Sequence, residues 1–172
     1  MDHTEFSGHR VLVLGTKTHN IQILRSVLTM VGVSKIMQVE DGATAASMLC
    51  MEHFNAVFCE LDAEAQLAFV RMARRRQGVL NPMIPIFLLQ SQVRHRHLEK
   101  ARDSGATDIL TIPVSPRTVA GKLRTATKTP RAFIVGQDFF GPDRRARIRP
   151  GYVGLDRRKK SPKKTRVDLV HL

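Results

Sequence analysis

Tryptophan is absent from this chain, tyrosine occurs once, and aromatic residues make up 5% of its 172 positions. Cysteine is almost as scarce, with Cys50 and Cys59 alone. Two thiols in apolar surroundings exclude a disulfide framework and read as buried, reduced cysteines of a cytosolic protein. No apolar run approaches the roughly 18 residues that cross a bilayer. The opening Met1-Asp2-His3-Thr4-Glu5 is acidic rather than apolar, so neither membrane insertion nor a signal peptide is expected. No Ser-His-Asp order, Walker loop, zinc-ligand spacing or pair of catalytic carboxylates stands out, so no enzyme activity, metal or cofactor is expected.

Acidic residues are the remaining shortage, 15 against 28 Lys and Arg, for a net charge of +13. The excess is unevenly placed. Residues 131–172 hold 12 Lys or Arg and 4 Asp, a net +8 in under a quarter of the length. Such a segment favours polyanions, acidic protein faces or phosphate-bearing ligands. With 42% hydrophobic residues, the rest of the chain is large enough for one ordinary core.

What is present is an alternation of short apolar runs with longer amphipathic ones. Arg10–Leu14 is continuously apolar after its first residue, as a parallel strand buried on both faces requires. Ile21, Leu24, Val27, Leu28 and Val31 then recur at helical spacing. Lys35–Val39, Ala56–Cys59, Ile84–Leu89 and Asp108–Ile112 read as four further strands. Helices are predicted from Gly42 to Cys50, over Ala65–Arg76 and Val93–Ser104, and from Ser115-Pro116 to about Lys128. In the second of these Leu67, Phe69 and Val70 face inward, while Arg71 and Arg74–Arg76 are expected in solvent. Five strand–helix units predict an α/β fold: a doubly wound, five-stranded parallel sheet of flavodoxin-like order, whose ligands bind at the carboxyl ends of the strands.

Residues 9–128 resemble the receiver domain of bacterial response regulators, the CheY-like fold. The resemblance is carried by Val11–Leu14, Glu40-Asp41-Gly42-Ala43-Thr44-Ala45, Ala56–Leu61, Ala101-Arg102-Asp103-Ser104-Gly105-Ala106 and Ile112-Pro113-Val114-Ser115-Pro116. Receivers of that family take up a phosphoryl group on an aspartate after the third strand. An acidic pair after the first strand holds Mg²⁺, and a Ser or Thr after the fourth and a Lys after the fifth grip the phosphoryl oxygens. Carboxylate oxygens suit Mg²⁺, and developing negative charge calls for cations and donors. The corresponding positions here are Gly15 and Thr16, Glu60, Gln90 and Ile112, with Ile109 at the family's aromatic switch position. All depart from the pattern, which implies a degenerate pseudo-receiver that phosphorylation does not switch. Glu60 could pair with Lys17, face solvent, or imitate a phosphoryl group.

Residues 129–172 are expected to form a basic, irregular and mobile extension. Within it Gly141-Pro142-Asp143-Arg144-Arg145 is echoed by Gly154-Leu155-Asp156-Arg157-Arg158. The tail resembles extensions on stand-alone receivers of alphaproteobacteria, and such arginine-rich extensions are associated with cyclic di-GMP effectors. Arginine offers paired donors to guanine and to phosphate, so Asp143, Arg144, Arg145, Asp156, Arg157 and Arg158 are the candidate ligand residues. Arg94-His95-Arg96-His97 reads as a solvated basic face, because His residues two apart on a helix diverge. Together with Lys100, Arg102, Arg117, Lys122 and Arg124 it would make either a basic partner face or a merely soluble one. The expected function is that of a cytoplasmic signalling adaptor in a bacterial two-component or phosphorelay context, acting on a protein partner. A cyclic di-GMP effector is the alternative, and nucleic-acid association through the tail a further one.

Overall fold

The computed structural model describes residues 5–16, 18–92, 95–136, 139–143 and 163–165. Strand β1 (Arg10–Gly15) leads to helix α1 (His19–Met30), then to β2 (Lys35–Val39) and α2 (Gly42–Met51). There follow β3 (Ala56–Glu60), α3 (Ala63–Arg75), β4 (Ile86–Gln90), α4 (His95–Ser104), β5 (Asp108–Thr111) and α5 (Pro116–Lys128). The five strands form one parallel sheet in the order β2-β1-β3-β4-β5, the doubly wound arrangement that the alternating pattern predicts.

Strand side chains alternate between two cores, as the two-residue period demands. Val11, Val13, Phe58 and Phe87 pack with Ile21, Leu24 and Leu28 of α1 and Val119 and Leu123 of α5. Leu12, Leu14, Val57 and Leu88 face the other way, onto Leu49 of α2, Leu67 and Val70 of α3 and Ala101 of α4. Both faces being covered explains why the central strands read as unbroken apolar runs. Cys59 is buried within the second core and Cys50 is only half-buried; both are free thiols.

Helix starts are set by side chains that accept from otherwise unpaired backbone N–H groups. Asp41 accepts from the Thr44 N–H at 2.8 Å, Asp62 from Ala65 at 2.9 Å and Ser115 from Thr118 at 3.2 Å. The cap at Asp62 starts α3 at Ala63, two residues before its apolar period becomes visible.

Glu5 is clamped onto α5. Arg124 donates to both carboxylate oxygens of Glu5, at 2.7 and 2.5 Å, and Lys128 reaches it at 2.9 Å. These donors, Arg124 first, hold the Glu5 carboxyl down at about 2 against an ordinary 4.5. A pKa depressed on folding adds stability that is complete above the ordinary value and disappears as pH falls through the folded one. Glu5→Gln is therefore expected to lower the melting temperature at neutral pH and to flatten its decline between about pH 4.5 and 2. Superimposable melting-temperature profiles for the two proteins across that window would contradict the clamp.

After α5 the chain adds order that the lost periodicity beyond Pro130 does not predict. Strand β6 (Phe133–Val135) pairs antiparallel with β7 (Phe140–Pro142) on one edge and with β8 (Lys163–Thr165) on the other. Phe133 and Ile134 are buried, and β7 lies against α3 and α4. Three-residue strands are too short to show a period, so only the contacts reveal them.

Candidate functional site

The carboxyl ends of the strands converge as the fold requires, with Gly15 in register beside Glu60 and Gln90 beside Thr111. A Cβ on Gly15 would lie 2.7 Å from the Glu60 carbonyl oxygen, so β1 ends in a residue that has no side chain and little room for one. Thr16 is exposed. Neither supplies a carboxylate.

Glu60 is half-buried, and both of its oxygens are engaged. Thr18 Oγ1 donates to Oε2 at 2.7 Å and Asn20 Nδ2 to Oε1 at 2.9 Å. Thr18 also caps α1 by accepting from the Ile21 N–H at 3.3 Å. The carboxylate thus ties the end of β3 to the start of α1. This replaces the expectation of a solvent-facing Glu60, whose alternative partner Lys17 lies outside the described residues. A negative charge beside the first turn of a helix is also favoured by the helix dipole.

Between β3 and β4 stands Gln66, fully buried on α3, a residue the motif comparison does not single out. Its Nε2 donates to the Cys59 carbonyl at 3.0 Å and to the Leu89 carbonyl at 2.8 Å, and its Oε1 accepts from Gln90 Nε2 at 3.2 Å. Gln90 therefore faces a carboxamide bridge rather than presenting a hydroxyl, and its own Oε1 is buried without a partner among the described residues. The available signal was Gln66 falling on the 66–70–73 face of an amphipathic helix, where a polar residue must find buried partners. Ile112 is half-buried, packs against the first core and donates its N–H to the Gln90 carbonyl at 3.0 Å. Burial, followed by the nearby Asp62 and Glu60 charges, pushes the Cys59 thiol far above its usual range and keeps it a neutral core group.

The divalent cation implied by the receiver resemblance does not fit this donor set. Mg²⁺ wants several hard oxygen ligands in near-octahedral order. Here one carboxylate is present, with both oxygens occupied, and Asp62 caps α3. Among the described residues no three His, Cys, Asp or Glu side chains gather to hold a metal.

The basic face predicted around α4 is less charged than its sequence. Lys100 pairs with Glu64 at 3.1 Å, Lys122 with Asp108, and Arg124 with Glu5. Arg102 and Arg117 have no ion-pair partner among the described residues. His95 stands 3.8 Å from Glu99, and Arg94 lies outside the described residues. Of the proposed cyclic dinucleotide ligands, Asp143 is half-buried and donates its N–H to the Ala132 carbonyl at 2.7 Å. Arg144, Arg145, Asp156, Arg157 and Arg158 lie outside the described residues.

Arg74 departs most sharply from expectation. It is 4% exposed rather than solvent-facing. Its position four residues after Val70 places it on the buried stripe of α3, and three backbone carbonyls accept its hydrogen bonds.

No family model and no curated protein matches the chain. Solved structures do. A response regulator of Chloroflexus aurantiacus superposes with a TM-score of 0.61 at 19% identity, over 68% of this chain and 95% of that one. The receiver domain of a Pseudomonas aeruginosa sensor histidine kinase, with a magnesium ion in its active-site cleft, gives 0.58 at 19% identity over 67% and 94%. The chemotaxis protein CheY4 of Vibrio cholerae gives 0.58 at 20% identity over 67% and 96%. The chain has the fold of the response-regulator receiver domain.

Proposed function

We propose that this chain is a signalling adaptor of receiver fold that works by binding a protein partner and is not switched by phosphoryl transfer. The observation that carries the reading is the engagement of Glu60. Its carboxylate, the one acidic side chain at the strand ends in the place of a phosphoryl acceptor, is held by Thr18 and Asn20. A phosphoryl acceptor needs freedom to present an oxygen in line with the donor, and charge-stabilising groups around the group it receives; here both oxygens are pinned by one donor each. Gln90 and Ile112 provide neither hydroxyl nor cation. The same two hydrogen bonds tie the end of β3 to Thr18 and Asn20 at the start of α1, which suits a constitutive binding module. The likeness to receivers supports a bacterial two-component or phosphorelay setting, and the free thiols support a reducing, cytoplasmic location.

Incubating the full chain with acetyl phosphate and Mg²⁺ is expected to leave its intact mass unchanged. A phosphoryl adduct mapped to Glu60 or Asp62 would overturn the reading. A second reading, a cyclic di-GMP effector, is supported by the twofold Asp-Arg-Arg sequence of the extension. It places the ligand on Arg144, Arg145, Arg157 and Arg158 and assigns the receiver fold the role of a platform.

A further inference from the structure

Away from the carboxyl ends of the strands, a cavity lies between α4, β5 and the hairpin of β6 and β7, with a volume of about 260 Å³. Leu98, Ile109 and Pro142 form apolar walls, and Arg102 and Arg131 line it as cations. Both arginines are exposed and lack an ion-pair partner among the described residues. The one acid of the lining, Asp108, is neutralised: Lys122 takes one of its oxygens and the Ile109 N–H takes the other at 2.9 Å. Thr107 accepts from the Ile86 N–H at 2.9 Å, which leaves its hydroxyl proton for a ligand.

We infer that this groove binds a small organic phosphate of about mononucleotide size, its phosphate held by Arg102 and Arg131 and its ring laid against Leu98, Ile109 and Pro142. Guanidinium groups bind phosphate oxygens through paired, charge-assisted hydrogen bonds. An apolar wall beside a few convergent polar groups is the usual make-up of a small-ligand pocket, and about 260 Å³ lies just below the ~300–1,000 Å³ range of drug-sized sites, which restricts it to a small ligand. An inorganic anion would leave the walls unused, and an uncharged ring would leave two cations unmatched. Arg131 and Pro142 belong to the extension, so the site exists only where the extension docks. Its ligand would therefore couple the extension to the α4–β5 edge.

The test is an NMR titration of the full chain with guanosine 5′-monophosphate, with inorganic phosphate as the comparison. Saturable shifts at the amides of Ala106, Thr107, Asp108 and Ile109 are expected, at lower concentration for the nucleotide than for phosphate. Arg102→Ala and Arg131→Ala should each weaken binding by roughly tenfold, the effect of one charge-assisted contact. Both side chains are exposed, so neither variant threatens the fold. The inference is overturned if those amides do not move at millimolar nucleotide. It is equally overturned if binding survives both substitutions and is lost instead in Arg144→Ala/Arg145→Ala, which would assign the phosphate to the tail.

Discussion

Arg74→Ala is expected to destabilise the chain by about 3 kcal/mol, far more than a substitution in a run of surface arginines would. Nε donates to the Gly105 carbonyl at 3.0 Å, and Nη1 donates to the carbonyls of Pro82 at 2.8 Å and Ile84 at 2.7 Å. The guanidinium carbon lies 5.2 Å from the Phe133 ring centre, a cation–π distance. No carboxylate is among these partners, and burial lowers the guanidinium pKa to about 9, still high enough for it to be charged at neutral pH. Two effects compete on removal. Losing a buried cation relieves a desolvation cost of several kcal/mol. Three carbonyls are then left without this donor, each worth about 1–3 kcal/mol, and a cavity remains. The carbonyls are the larger sum, because one fork serves all three.

Arg74→Met fills the volume without serving the carbonyls and should recover only the cavity part of the loss. Arg74→Lys keeps charge but offers a point donor in place of a fork, and should fall between wild type and methionine. Urea unfolding of the full chain measures all three. An alanine variant within about 0.5 kcal/mol of wild type, the range of ordinary surface changes, would mean that the anchoring contacts do not stabilise the chain.

The sheet was legible because its signals are local. Burial on both faces makes β1 and β3 unbroken apolar runs, Asp41 and Ser115 announce their helices, and the strand-end positions Gly15, Glu60, Gln90 and Ile112 follow from where the strands stop together with the receiver resemblance. What escaped depends on partners far away in sequence. Lys100, Lys122 and Arg124 read as a basic face, yet their acids lie 36, 14 and 119 residues distant. Arg74 sits in the run Arg74–Arg76 and took its neighbours' reading, although helical geometry separates it from Arg75 and Arg76, which are exposed. Thr18 and Asn20 were unremarkable until the fold brought them to Glu60. The hairpin was missed because Phe133 and Ile134 are buried against a surface that the sequence does not show.

Gly105→Ala is expected to cost about 3 kcal/mol and to detach the hairpin from α4. Gly105 closes α4 with φ at +96°, the Ala106 N–H donating to the Ala101 carbonyl at 3.1 Å and the Gly105 N–H to the Arg102 carbonyl at 3.0 Å. That pair of bonds satisfies carbonyls a helix end otherwise leaves open, and it needs a left-handed residue. Alanine there costs about 1–2 kcal/mol in backbone strain alone. Its Cβ would also stand 2.5 Å from the Phe140 carbonyl oxygen, a backbone atom that moves only if β7 moves. Gly141→Ala separates the two effects. It has no positive φ, but its Cβ would meet the Gly105 Cα at 2.7 Å. Both variants should expose the β6 amides to hydrogen exchange, and only Gly105→Ala should add the strain of the helix end. Both should also weaken nucleotide binding in the α4–β5 groove, since Pro142 forms one of its walls. Unchanged exchange protection at Phe133–Val135 in the two variants would show that the hairpin does not rest on this glycine pair, and the groove would then lose its extension-built wall.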